Sequence, residues 1–118
     1  MSALVKIHPK AQSAREAFHS SVISEVSAAV EKEAVVVVGM AWNPFCSKAV
    51  KLLTEKGIAH RYLEYGNYLS GWKPRLAIKM WSGWPTFPQV FVKGALIGGF
   101  NDLKALADSG ELATLLKG

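Results

Sequence analysis

The chain has 118 residues, half of them hydrophobic and 19% charged. That length and balance suit one compact domain, residues 1–118, and exclude a disordered or low-complexity chain. The formal net charge is +5, but the lysines are scattered and no helix-turn-helix or zinc-finger spacing occurs, so nucleic acid is not expected as a partner.

Residues 1 to about 12 read as a poorly ordered arm. Lys6, His8 and Lys10 interrupt it too early for the apolar stretch of a secretory signal. From about Ser13 to Lys32, Phe18, Val22, Ile23, Val26, Ala29 and Val30 recur at helical spacing. Ala34 to Val38 is β-branched and unbroken, as in a strand buried on both faces. Even extended by Met40–Trp42 it is far shorter than a bilayer span, and no membrane partner is expected.

Asn43-Pro44-Phe45-Cys46 opens the next element. Asn is a strong N-cap, Pro is favoured at the first helical position, and Ala49, Val50, Leu52 and Leu53 continue at helical spacing. Gly57 is placed to end that helix. Ile58 to Tyr65 alternates as a second strand, giving a strand–helix–strand unit and a parallel pair. Lys73 to Trp81 forms a helix with Pro74 in its first turn. Gly83–Thr86 is a loop. Phe87–Lys93 and Ala95–Ile97 form an antiparallel hairpin about Gly94. Gly98-Gly99 breaks the chain, Asn101 or Asp102 caps a helix carrying Leu103, Leu106 and Ala107, and Gly110 separates a last helix, Glu111 to Lys117.

Cys46 is the single cysteine. It excludes an intramolecular disulfide, argues against a cysteine-based metal site within one chain, and fits a reducing, cytoplasmic compartment. His8, His19 and His60 are too dispersed for a metal or catalytic cluster, so no metal is expected.

The element order, with a proline at the start of the third strand, resembles the thioredoxin fold, and three segments resemble the glutaredoxins, in particular their monothiol branch. Trp42 to Ala49 is similar to the family's C-P-Y-C motif read as N-P-F-C. Arg75, the pair Ile78-Lys79, and Trp84-Pro85-Thr86-Phe87-Pro88-Gln89 are similar to the monothiol pattern ending in W-P-T-x-P-Q. Gly98-Gly99-Phe100-Asn101-Asp102 is similar to the G-G-x-D glutathione motif. The match runs from about Val35 to Leu106.

This resemblance implies an α/β, thioredoxin-like fold: a four-stranded mixed sheet flanked by helices. It implies thiol–disulfide oxidoreductase chemistry with glutathione as cofactor, and glutathione or a glutathionylated or peptide substrate as partner. The ligand groove falls on Asn43, Phe45, Arg75, Lys79, Thr86, Phe87, Pro88, Gly99, Asn101 and Asp102, with Pro88 expected cis. Arg75 and Lys79 share a helix face one turn apart and are assigned the glycine carboxylate. The family's nucleophilic cysteine falls at Asn43, which cannot form a mixed disulfide, and the family's lysine three residues earlier is Met40. Cys46 matches the second cysteine and is the one catalytic candidate, although a thiol one turn into this helix is expected to face the sheet. With no cysteine at 43, a shared iron–sulfur cluster is not expected. The alternatives to an enzyme acting through Cys46 are a non-catalytic glutathione- or peptide-binding domain and a partner-binding domain, a homodimer among the options.

Overall fold

A computed structural model describes residues 8–117; the arm expected at 1–12 falls largely on residues outside that range. The elements are α1 (Pro9–Ala17), α2 (Ser20–Lys32), β1 (Val35–Gly39), α3 (Pro44–Glu55), β2 (Arg61–Glu64), α4 (Trp72–Ser82), β3 (Gln89–Val92), β4 (Ala95–Gly98), α5 (Phe100–Ser109) and α6 (Glu111–Lys117). The helix expected to begin at Ser13 begins at Pro9 and breaks before α2, because His19 takes a left-handed conformation (φ 47°) and its carbonyl receives the N–H groups of Val22 and Ile23.

The strands form one mixed sheet in the order β2-β1-β3-β4. β1 runs parallel to β2 and antiparallel to β3, and β4 returns antiparallel along β3. Alternation along β1 divides the core. Val36 and Val38 pack with Val26, Ala29 and Val30 of α2 and Ile78 of α4. Val35 and Val37 face the other way, onto Ala49 and Leu53 of α3, Leu103 of α5 and Leu112 of α6. All five residues of β1 are buried, as its unbroken apolar run requires.

This topology gathers the predicted motifs. β1 ends where its antiparallel partner β3 begins, and β4 ends beside that same point. The start of α3, the loop entering β3 and the start of α5 therefore meet at one end of the sheet.

Candidate functional site

Asn43 caps α3. Its Oδ1 accepts from the backbone N–H of Phe45 at 2.9 Å and of Cys46 at 3.2 Å, and Pro44 follows at the first helical position. N–H groups at a helix start favour a negative charge. Here two of them are already held by a neutral side chain.

A groove of about 340 Å³ lies beside this cap, lined by Phe45, Trp84, Thr86, Phe87, Pro88, Gly99, Phe100, Asn101 and Asp102. Seven of the residues assigned to the ligand from sequence thus stand together. The Phe87–Pro88 peptide is cis, as expected. Phe87 lies just outside the ladder, whose last β1–β3 pair on this side is Val38 with Gln89. One wall is aromatic: the Phe45 and Phe100 rings are 6.4 Å apart. Two cations flank it, Lys48 Nζ at 5.1 Å from the Phe45 ring and Lys79 Nζ at 5.7 Å from the Phe87 ring. α5 starts at the far end. Gly99 is its N-cap, and the Asp102 carboxylate at the third helical position accepts the Gly99 N–H at 2.8 Å.

Trp84 anchors the entry loop and leaves one group over. Its N–H bonds to Ser82 Oγ at 3.1 Å and its carbonyl accepts from Gln89 Nε2 at 3.0 Å. Its indole Nε1–H is buried with no partner. A Cβ added to Gly99 would stand 3.9 Å from that nitrogen and 3.5 Å from Pro88 O. Both are ordinary contact distances, so Gly99 packs closely against this corner of the groove. Buried donors without partners are costly and rare.

Two candidate residues, Arg75 and Cys46, stand elsewhere. Arg75, predicted to hold a carboxylate, is 9% exposed; its Nη1 donates to Tyr65 O at 3.0 Å and Ser70 O at 2.8 Å. It organises the loop between β2 and α4. The helical spacing with Lys79 is real, but depth separates the two: Lys79 remains half-buried beside Phe87.

Cys46, the catalytic candidate, does not line the groove. It is 1% exposed and faces the sheet, against Gly39 and Tyr62; a Cβ on Gly39 would come within 2.8 Å of its Sγ. A second cavity, about 370 Å³, lies on this side of α3 and includes Met40, Trp42, Cys46 and Tyr62. Burial pushes the thiol above its ordinary range; the Glu64 charge adds to this, against a hydrogen bond from the Met40 backbone. Met40, where the resemblance puts a lysine, is 7% exposed and belongs to the same buried side. The helix start therefore has no thiolate, and the position of the family's lysine is filled by a buried methionine. Among the described residues, no group of three or more His, Cys, Asp or Glu side chains is placed to hold a metal.

Sequence reasoning did not assign Phe100, Lys48 or the Trp84 indole N–H to the ligand. Phe100 sat between motif residues, and its pairing with Phe45 depends on α3 and α5 starting side by side.

Comparison with known proteins agrees with this geometry. A family model described as Glutaredoxin matches residues 35–97. A "Glutaredoxin-like protein" of Dictyostelium discoideum is 52% identical over 100 residues, 85% of this chain and 81% of that protein. The "Monothiol glutaredoxin-5, mitochondrial" of Schizosaccharomyces pombe is 35% identical over 94 residues, 75% of this chain and 64% of the relative's length. Among solved structures, that of a buckwheat glutaredoxin–glutathione complex has the same fold, with a TM-score of 0.73 over 83% of this chain and 89% of the other at 24% identity. This chain, with Asn43 at the head of α3, belongs to the glutaredoxin family.

Proposed function

We propose that this protein binds glutathione, or a peptide end resembling it, in the groove between Phe45, Phe87 and Asp102, and performs no thiol–disulfide exchange of its own. One arrangement carries the proposal: the groove is assembled and holds an unpartnered donor, while the only thiol lies buried on the opposite side of α3.

The residues present fit such a ligand. An extended peptide can pair with the backbone at Phe87 as an added strand. The first N–H groups of α5, at Asn101 and Asp102, suit a carboxylate. Lys79, and not Arg75, supplies the cation for a second carboxylate. The indole N–H of Trp84 gains an acceptor that the free protein lacks. Glutathione would bring the one thiol of the groove; the chain supplies binding and orientation. The buckwheat relative, which has the same fold, was crystallised with glutathione. A cytoplasmic setting forms part of the proposal, resting on the lone cysteine.

Two assays on the wild-type protein test this. Calorimetric titration with reduced glutathione is expected to show saturable binding. Glutathione-dependent reduction of a glutathionylated mixed disulfide is expected at background rate in both wild type and Cys46→Ser. Turnover by wild type that disappears in Cys46→Ser would restore the enzymatic reading, and absence of binding would leave the groove without its proposed ligand.

A further inference from the structure

The loop between β2 and α4 is built around a tip. Asn67 N–H donates to Ser70 O at 3.0 Å, and Asn67 Oδ1 accepts the N–H groups of Leu69 at 2.8 Å and Ser70 at 3.0 Å. Gly66 and Gly71 meet at its neck with left-handed φ of 69° and 77°; a Cβ on Gly71 would stand 2.7 Å from Gly66 Cα, and one on Gly66 2.8 Å from Gly71 Cα. Only glycine allows both the conformation and the approach. The buried Arg75 then ties Tyr65 O and Ser70 O together from beneath.

This scaffold presents apolar groups to water. Leu69 is 86% exposed, the most exposed large hydrophobic side chain among the described residues, and Tyr68 and Trp72 are each 60% exposed. Exposed apolar residues that occur together mark an interaction site, unlike those scattered singly. A cation stands beside them. Lys73 Nζ lies 5.6 Å from the Trp72 ring. No carboxylate occurs in the sequence from Tyr65 to Asn101. Glu25 and Glu64 stand at the base of the loop, where they accept from Tyr65 OH and Tyr62 OH.

We propose that this loop is a peripheral contact for an anionic bilayer surface, with Leu69 and Trp72 entering the boundary between headgroups and acyl chains and Lys73 meeting acidic headgroups. Tyr and Trp favour that boundary, and lysine can keep its charge among the headgroups while its stem lies along apolar surface. A protruding tip suits a fluid interface, which needs no matching pocket. The contact is superficial: among the described residues no helix is long and apolar enough to cross a membrane. The expectation of no membrane partner rested on the lack of such a span and does not bear on this surface.

The test is sedimentation of the full chain with phosphatidylcholine vesicles, with and without about 30 mol% phosphatidylserine. Binding is expected to the anionic vesicles only, with a blue shift in tryptophan emission. It is expected to weaken as salt rises from about 0.05 to about 0.5 M. The double variant Leu69→Ser, Trp72→Ser should weaken binding at least about tenfold through lost apolar contact. Lys73→Glu should weaken it about tenfold or more through its reversed charge. These side chains are exposed, so both variants should keep the wild-type urea midpoint. Failure of the wild type to bind anionic vesicles, as expected of a tip that instead fits a protein pocket, would overturn the proposal. So would equal binding to neutral vesicles, or undiminished binding by the double variant.

Discussion

Replacing Asn43 by alanine removes the acceptor for two backbone N–H groups, those of Phe45 and Cys46. Asn43 is half-buried, so water can recover part of what is lost. Loss of such a cap costs about 1 kcal/mol, within a range of about 0.5–2. For a domain of this size that corresponds to a melting temperature lower by about 4 °C. Urea unfolding followed by circular dichroism should show this loss, with an unchanged slope against denaturant. Asn43→Cys should lose a similar amount while its thiol is neutral. It should regain about 0.3–1 kcal/mol once the thiolate forms, because the freed N–H groups and the helix dipole then favour it. The same variant should gain glutathione-dependent mixed-disulfide reduction above the wild-type background. If Asn43→Ala unfolds at the wild-type urea concentration, the residue is not the cap described here. If Asn43→Cys shows no thiolate at neutral pH, the helix start is not primed for an anion.

Further predictions concern the groove, the loop and the thiol. Trp84→Phe removes an unpartnered buried donor, so stability should change by no more than about 1 kcal/mol, while calorimetry should show glutathione affinity reduced by about three- to tenfold; equal affinity would mean the indole does not meet the ligand. Arg75→Met should cost about 2–3 kcal/mol by leaving Tyr65 O and Ser70 O without their charged donor, yet leave glutathione affinity within about twofold; weaker binding without lost stability would return Arg75 to the ligand. Burial pushes the Cys46 thiol and the Tyr62 and Tyr65 hydroxyls above their ordinary ranges. The unfolded chain therefore loses these protons first as pH rises. Their contribution to stability is full below about pH 8.5 and declines as pH rises toward the native-state values, so the urea midpoint should fall on the alkaline side, and less in Cys46→Ala. A midpoint that stays level or rises from about pH 8 to about pH 10 would contradict this.

The sequence made the cap at Asn43 legible because an acceptor side chain, a proline and an apolar period follow one another in order. The same local logic located Gly57 at the end of α3, where it takes a left-handed φ of 68°. What local pattern could not supply was depth. Arg75 and Lys79 lie on one helix face, but the loop at residues 66–71 folds back over the first and not the second. β2 was expected from Ile58, yet the Ile58 N–H is drawn to Leu53 O at the end of α3, so pairing begins only at Arg61. The break at His19 has no glycine or proline to announce it. Asp102 was legible as a capping residue, but it acts from the third helical position on the Gly99 N–H, which leaves Gly99 as the cap. The groove's assembly was implied by the order of motifs; its unpaired indole N–H emerges only when the Gly99 backbone and the Trp84 side chain stand together in space.

The separation of a competent groove from an incompetent thiol is tested most directly by titrating the isotopically labelled protein with reduced glutathione and following backbone and indole resonances by NMR. Saturable shifts are predicted at Phe45, at residues 86–88 and 99–102, and at the Trp84 indole N–H, with Cys46 and Tyr62 unmoved. Absence of shifts in the groove, or shifts concentrated around Cys46 and Tyr62, would contradict the account.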